Sequence, residues 1–306
     1  MIVYEDDKAK FCYVVLKQDI AKDPGFAGQL ENNTYFDLQT PYGYGGPLSD
    51  APIPHESQER FIHELSAYCA KHGIVSQFIR FHPLLGNHDL LGHVFQTRYL
   101  RDTIWIDTSV QDLVMSNIDG KNRNMIRKAI RNGITIERKN IENYHEFAAM
   151  YAETMEKNDA DDYYLFSEDY FSSLKYLHEN ACIFYAMMDN KPIAGAIMLF
   201  NGEYMHYHLA GTIGEYRQYA PSNLLLYKAG CWASEQGIKK FHLGGGMAPD
   251  DSLFLFKKKF NKNGQLPFVV GKTIFDLVTY DVLRHKRKEI DSSFDEDNSF
   301  MIQYRR

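Results

Sequence analysis

Cysteine is scarce in this chain and scattered: Cys12, Cys69, Cys182 and Cys231 are the four in 306 residues, and no two stand at a CxxC spacing. That scatter speaks against a disulfide framework or a thiolate zinc site, and the mostly apolar runs around the four make them buried free thiols. The opening MIVYEDDKAK lacks a charged-then-apolar leader, and no run approaches the roughly 18 apolar residues of a membrane span. A cytoplasmic, soluble protein with at most peripheral membrane contact is expected. Surplus positive charge is missing too: the formal net charge is -6 and the pI about 6.1, so DNA is not an expected partner. Nor is a metal, because His82, His88 and His93 with Asp89 match no helical HExxH pattern and a Gly86-Asn87 turn falls among them. What the chain does have is 21 tyrosines and 20 phenylalanines within an ordinary globular composition of 44% hydrophobic and 24% charged residues.

The length fits two domains of roughly 150 residues. In the second half CIFYAMMD, IAGAIMLF and EYMHYHLAG read as strands, turned at Asn190, Lys191 and Pro192 and at Asn201-Gly202, which predicts an antiparallel meander. A loop, TIGEYRQYAPS, leads into a mostly buried helix, LLLYKAGCWASEQ, with Ser222 as N-cap and Gly237 just past its end. The strand IKKFHL, three glycines at Gly244 to Gly246, a short helix from Asp251 and the strand LPFVVGKTIF complete the unit. The first half runs in the same order: strand TYFDLQT, loop PYGYGGPLSDAPIP, helix ESQERFIHELSAYCAKH ending at Gly73, strand IVSQFIRF. The repeated order suggests two copies of one α/β unit. Between them one amphipathic helix is expected over Val110 to Asn132, giving domains 1–132 and 133–306. The C-terminal tail predicts a helix followed by a loosely ordered strand or extension.

Several stretches carry chemistry. RQYAPS, Arg217 to Ser222, joins a strand to a helix N-terminus, whose unpaired N–H groups and partial positive charge suit a pyrophosphate, with Arg217 adding a charge-assisted contact. The basic stretch KNRNMIRKAIRNG places Arg123 and Arg127 four residues apart on one face, where they can clamp a diphosphate. In LFKKKF the aromatics pack at helical spacing and one lysine need face a site. Arg80, at the end of a predicted strand, is a candidate ligand contact.

The order of these pieces resembles the GNAT acetyltransferase superfamily, whose anion loop reads [QR]-x-x-G-x-[GA]; here Arg217 keeps the first place, and Ala220 and Ser222 stand where the family has glycine or alanine. PYGYGGP, RFHPLL, the basic helix, HYHLAGT followed by APSNLLLYKAGCWASEQGIKKFHLGGG, and LFKKKF together resemble the FemAB-like branch. That resemblance implies an α/β (α+β) fold of tandem GNAT-like domains, each a mixed, largely antiparallel sheet flanked by helices, the first shortened. It also implies transfer of an acyl or aminoacyl group from an activated ester or thioester to an amine of a cell-wall or surface-glycan precursor held between the domains. Donor contacts then fall to Arg217, Ser222, Asn223 and Lys257. The proton acceptors beside the reacting strand are His208 and His206, with Tyr207 on the opposite strand face. Acceptor contacts fall to Tyr42, Tyr44, Gly45, Arg80, Arg123, Arg127 and Tyr207. No tightly bound cofactor is implied: acyl-CoA and aminoacyl-tRNA both stay open as donor substrates, and the partner is a nucleotide-linked or lipid-linked glycan or peptide precursor. A second reading, a non-catalytic module that binds such a precursor, also stays open. PYGYGGP itself holds no cation, and Pro47 no donor N–H, so a wall of the acceptor site is expected there rather than a phosphate cradle, with a hinge as the alternative.

Overall fold

The computed structural model describes residues 1–157 and 165–306. In chain order its strands are β1 (Ile2–Glu5), β2 (Lys10–Tyr13), β3 (Leu16–Asp19), β4 (Phe36–Gln39), β5 (Leu48–Ser49), β6 (Ile74–Arg80), β7 (Gln96–Asp107), β8 (Thr135–Asn140), β9 (Ala181–Met188), β10 (Lys191–Asn201), β11 (Tyr204–Thr212), β12 (Lys240–Gly244) and β13 (Gln265–Ile274). Its helices are α1 (His55–Lys71), α2 (Gln111–Ser116), α3 (Gly120–Arg131), α4 (His145–Lys157), α5 (Glu168–Ser173), α6 (Pro221–Glu235), α7 (Ser252–Lys258) and α8 (Leu277–Ile290). The chain divides into two compact units: unit 1 is Met1–Arg101 with Pro267–Arg306, and unit 2 is Asp102–Leu266. The units therefore do not meet at residue 132. The basic helix belongs to unit 2, because α3 packs on α6, and the C-terminal residues rejoin unit 1 by pairing β13 with β6.

Unit 1 is a small mixed sheet in the order β3-β4-β6-β13, accompanied by the antiparallel strands β1-β2-β5. Strands β4 and β6 run parallel and are joined by α1, which buries Phe61, Leu65 and Cys69 in a core with Ile74, Ile79 and Phe81. The tail expected to be loose is docked. After α8 a short 3-10 turn, Gln303–Arg305, replaces the expected strand, and Tyr304 is fully buried among Phe26, Val75 and Leu283. Arg305 grips Asp37 with two hydrogen bonds, Nε to Oδ2 at 2.7 Å and Nη2 to Oδ1 at 2.9 Å, and reaches Asp23 at 3.0 Å.

Unit 2 carries the sheet β7-β12-β11-β10-β9-β8. The expected meander is β9-β10-β11, antiparallel throughout. Its first turn is Asp189-Asn190, both left-handed at φ 50° and 60°, so Lys191 and Pro192 already belong to β10. Strands β11 and β12 run parallel and are joined by α6, the same strand–helix–strand unit as β4-α1-β6. The single helix expected over Val110 to Asn132 is two, α2 and α3. The Asp119 carboxylate caps the second by accepting from the Lys121 and Asn122 N–H groups, which is what a carboxylate before a glycine favours over helix continuation.

Two facing glycines set how closely α4 lies on this sheet. Gly195 and Gly211 are register partners on β10 and β11. A Cβ on Gly211 would meet the Met150 carbonyl oxygen at 3.0 Å, and one on Gly195 the Phe147 ring at 3.0 Å. The other sheet face is covered by α3 and α6 through Ile126, Ala129, Leu225 and Leu226. Among the described residues no helix is long and apolar enough to cross a membrane, and no group of three or more His, Cys, Asp or Glu could hold a metal ion.

Candidate functional site

Strand β11 pairs with β12 only over Tyr204-Lys240, Met205-Phe241 and His206-His242. Beyond that point β11 continues to Thr212 and β12 to Gly244 outside that register. A strand that runs on past its parallel partner has backbone groups to offer a ligand. The other edge of β11 is irregular at the same place: Ile197 and Met198 of β10 face Tyr207, His208 and Leu209, a β-bulge with His208 as the extra residue. The bulge resets the alternation, so Met205, Tyr207 and Ala210 all pack toward the core beneath α6.

The histidines occupy the face away from that core. His206 and His208 have ring centroids 6.1 Å apart. The Tyr170 hydroxyl of α5 is hydrogen-bonded to His208 Nε2. Burial pushes the His208 imidazole down to about 4, so the ring is neutral at neutral pH. His206 Nδ1 lies 3.1 Å from Nδ1 of the fully buried His242, the two rings meeting edge to edge with planes 26° apart and centroids 5.2 Å apart. His242 and Tyr170 escaped sequence reasoning. His242 had a signal, since the parallel strands of a β-α-β unit set MH of β11 beside FH of β12; Tyr170, on a short helix with no distinctive pattern, had none.

On the opposite face Lys257 of α7 is 7% exposed, donates from Nζ to the Gly245 carbonyl at 2.7 Å, and sits 5.7 Å from the Tyr207 ring centroid. Burial pushes its ammonium down to about 8, against the opposing pull of the Asp251 carboxylate. That carboxylate is itself held low, despite burial, by the N–H groups of Phe254, Ala248 and Met247. Burial likewise raises the Tyr207 phenol.

The start of α6 departs from the expected cradle. Ser222 is not the N-cap: Pro221 stands at N1, where its fixed φ suits a first helical turn, and Ala220 caps in the left-handed conformation at φ 60°. Glycine favours that conformation, so Ala220 follows this backbone path under strain. Few donors remain. Pro221 has no N–H, the Ala220 N–H goes to the Arg217 carbonyl at 3.1 Å, and the Asn223 N–H goes to the Ala220 carbonyl at 3.2 Å. The Arg217 side chain is exposed on the preceding 3-10 turn, Gly214–Tyr219. Ser222 Oγ bonds Thr212 Oγ1 at 2.9 Å, and Asn223 Nδ2 donates to Asn122 Oδ1 at 2.5 Å. Arg123 is half-buried on α3 and Arg127 exposed, the latter donating to Asn124 Oδ1 at 3.1 Å.

In unit 1 the PYGYGGP loop is clamped rather than free. Gly45 bridges to Phe81, and Asn87 Nδ2 donates to the Gly45 and Pro47 carbonyls at 2.9 and 3.0 Å. Gly46 has φ 93° and lies so close that a Cβ would meet the Phe81 ring at 2.8 Å. Tyr44 packs edge-on against Phe268 at 5.1 Å and near His82 at 5.8 Å, while Tyr42 is half-buried. Arg80 donates to the Thr40 carbonyl at 3.3 Å and lies 4.9 Å over the Phe78 ring.

Comparison with known proteins matches this architecture. The fold is similar to that of FemX, with a TM-score of 0.63 at 14% identity over 88% of this chain and 90% of that one. L-PGS from Bacillus licheniformis gives 0.53 at 14% over 83% and 82%, and the C-terminal DUF2156 domain of an Agrobacterium fabrum protein gives 0.55 at 14% over 83% and 88%. Nothing among curated proteins matches the chain. Residues 120–251, from the start of α3 to the loop before α7, match the acetyltransferase (GNAT) domain family. Over those residues the chain is similar to GNAT acetyltransferases.

Proposed function

We propose that the protein transfers an acyl or aminoacyl group from an activated donor to an amine of a cell-wall or surface-glycan precursor, with the reacting carbonyl seated where β11 leaves β12. The observation that carries this reading is the coincidence at one place of the end of the β11-β12 register, the bulge at His208 and the two histidines. An activated ester or thioester asks little of an enzyme beyond alignment, removal of the amine's proton and support for the developing oxyanion. Backbone N–H groups of β11 supply the last. His206 is the better proton acceptor, because burial holds His208 to about 4 while Tyr170 engages its Nε2. His208 then orients the acceptor.

Lys257 and Asn223 face the donor in this reading, Lys257 as a buried cation for a phosphate or ribose oxygen. The few N–H groups left at the start of α6 favour aminoacyl-tRNA over acyl-CoA, and the cations of α3, including Arg123 and Arg127, suit a phosphorylated ligand.

The test is a transfer assay pairing aminoacyl-tRNA or acetyl-CoA with nucleotide-linked and lipid-linked precursors that carry a free amine, read by mass of the new amide. Product with at least one donor, lost in His206→Gln, supports the proposal. Thermal stabilisation by a precursor, with no stabilisation by any donor and no amide, would replace it with the non-catalytic binding reading.

A further inference from the structure

The stretch from Lys121 to Arg131 carries five of the chain's 34 lysines and arginines, Lys121, Arg123, Arg127, Lys128 and Arg131, and none of its 40 acids. It is α3, capped by the Asp119 carboxylate, seated on α6 and burying Asn122, Ile126 and Ala129. With that face turned inward, helical periodicity leaves the cations on the outer side, Arg123, Arg127 and Arg131 in one row at successive turns. Lys121, Arg127 and Arg131 are exposed, and Arg123 and Lys128 half-buried. On other surfaces of this acidic chain Lys8, Lys10, Lys157 and Lys239 each pair with a glutamate. Among the described residues none of the five on α3 joins an ion pair, and Arg127 bonds only the neutral Asn124 amide oxygen. Like charges four residues apart destabilise a helix, and an external polyanion reverses that sign.

A polyanion accounts for the cations but not for Met125 and Ile130, 37% and 51% exposed on the same helix. The phosphates of a nucleic acid offer these apolar side chains nothing. A bilayer takes the cations at its lipid phosphates and the apolar groups at the boundary between headgroups and acyl chains. The basic surface continues past the start of the helix, because the exposed Lys259 gives its carbonyl to the Asp119 N–H and the Asn122 amide. At 1.5 Å per residue α3 is about 18 Å long, so these charges act together within about two Debye lengths.

We propose that α3 is the surface by which this protein docks on an anionic phospholipid membrane. The helix lies along the membrane plane, with its arginine row at lipid phosphates and Ile130 and Met125 in the interface. The chain as a whole has a net charge of -6, so the field that draws α3 down turns acidic faces away. The docking surface stands apart from the transferase reading, since it fixes where the protein sits and no chemical step depends on it.

The test is co-sedimentation of the full chain with vesicles of phosphatidylglycerol and phosphatidylcholine, set against vesicles of phosphatidylcholine alone and a labelled duplex RNA followed by anisotropy. Binding to the phosphatidylglycerol vesicles, weakened by salt, and not to phosphatidylcholine alone is expected. Arg127→Gln combined with Arg131→Gln should lower partition about twenty-fivefold, at about fivefold per basic residue near such a surface. Both side chains are exposed, so the fold is not at stake. Ile130→Ser should lower partition about tenfold and leave its salt dependence unchanged, because the loss is apolar. Lys10→Gln, at an exposed lysine of β2, should leave partition within about twofold. No preference for phosphatidylglycerol, partition unmoved by the arginine pair, or an equal loss in Lys10→Gln overturns the proposal. So does tighter binding of the duplex RNA, lost in the arginine pair and unchanged in Ile130→Ser, which makes the face a nucleic-acid surface instead. None of these results bears on amide formation, so failure here leaves the transferase reading as it stands.

Discussion

Lys257 offers a test of what burying its ammonium costs the fold. A buried ammonium lowered from 10.5 to about 8 is disfavoured in its charged form by about 3 kcal/mol at neutral pH. Lys257→Met keeps the length and apolar stem and removes the charge. It leaves the Gly245 carbonyl without its donor, which costs about 1 kcal/mol, so a net stabilisation of about 1–2 kcal/mol is expected. The sign follows from proton counting. Below pH 8 both folded and unfolded lysine are protonated and the penalty is fully present. Between about 8 and 10.5 the folded lysine loses its proton while the unfolded one keeps it, so wild-type stability rises with pH and the advantage of Lys257→Met shrinks. Both tryptophans, Trp105 and Trp232, lie in unit 2, so their fluorescence in a urea titration reports this unit. Destabilisation by more than about 1 kcal/mol at pH 7 would refute the reasoning, since it exceeds the lost hydrogen bond alone. So would a stabilisation of equal size at pH 7 and pH 10.

Three further outcomes are expected. Gly211→Ala should destabilise unit 2 by about 1–3 kcal/mol in the same titration, because its Cβ has only 3.0 Å to the Met150 carbonyl and backbone must yield; a neutral effect would mean α4 sits less tightly than described. Arg305→Met strands the Asp37 carboxylate, which is 4% exposed, and should cost unit 1 about 3–5 kcal/mol by circular dichroism in denaturant; a loss under about 1 kcal/mol would contradict the clasp. Acid should weaken unit 2 through His208: as pH falls from 6.5 toward about 4 the unfolded ring takes a proton that the folded ring refuses, so up to about 3 kcal/mol is lost, and His208→Phe should flatten that slope.

Local pattern made much of this legible. The meander, α1 and α6 with Gly73 and Gly237 just past their ends, and the parallel strands they join all follow from periodicity and turn residues close in the chain. What was not legible depends on distant closure. That the last forty residues rejoin unit 1 is decided by β13 pairing with β6 and by Arg305 reaching Asp37, contacts with no trace in spacing. Sequence reading over-extended one helix past Asp119, where a side-chain cap outweighs amphipathic continuity, and placed an N-cap at Ser222, where proline starts the helix earlier. Strand alternation sets His206 and His208 on one face, whereas the bulge beside them appears only once β10 is laid beside β11.

The most direct test of the central claim is to map where an activated donor binds. Amide and histidine NMR signals would be followed while a non-hydrolysable aminoacyl-RNA analogue, and separately acetyl-CoA, is added. The account predicts that one of them shifts the signals of residues 206–212 on β11 together with Gly245 and Lys257, while β4 stays unchanged. Saturable binding that perturbs other residues and leaves β11 untouched, or no perturbation by either donor, would contradict it.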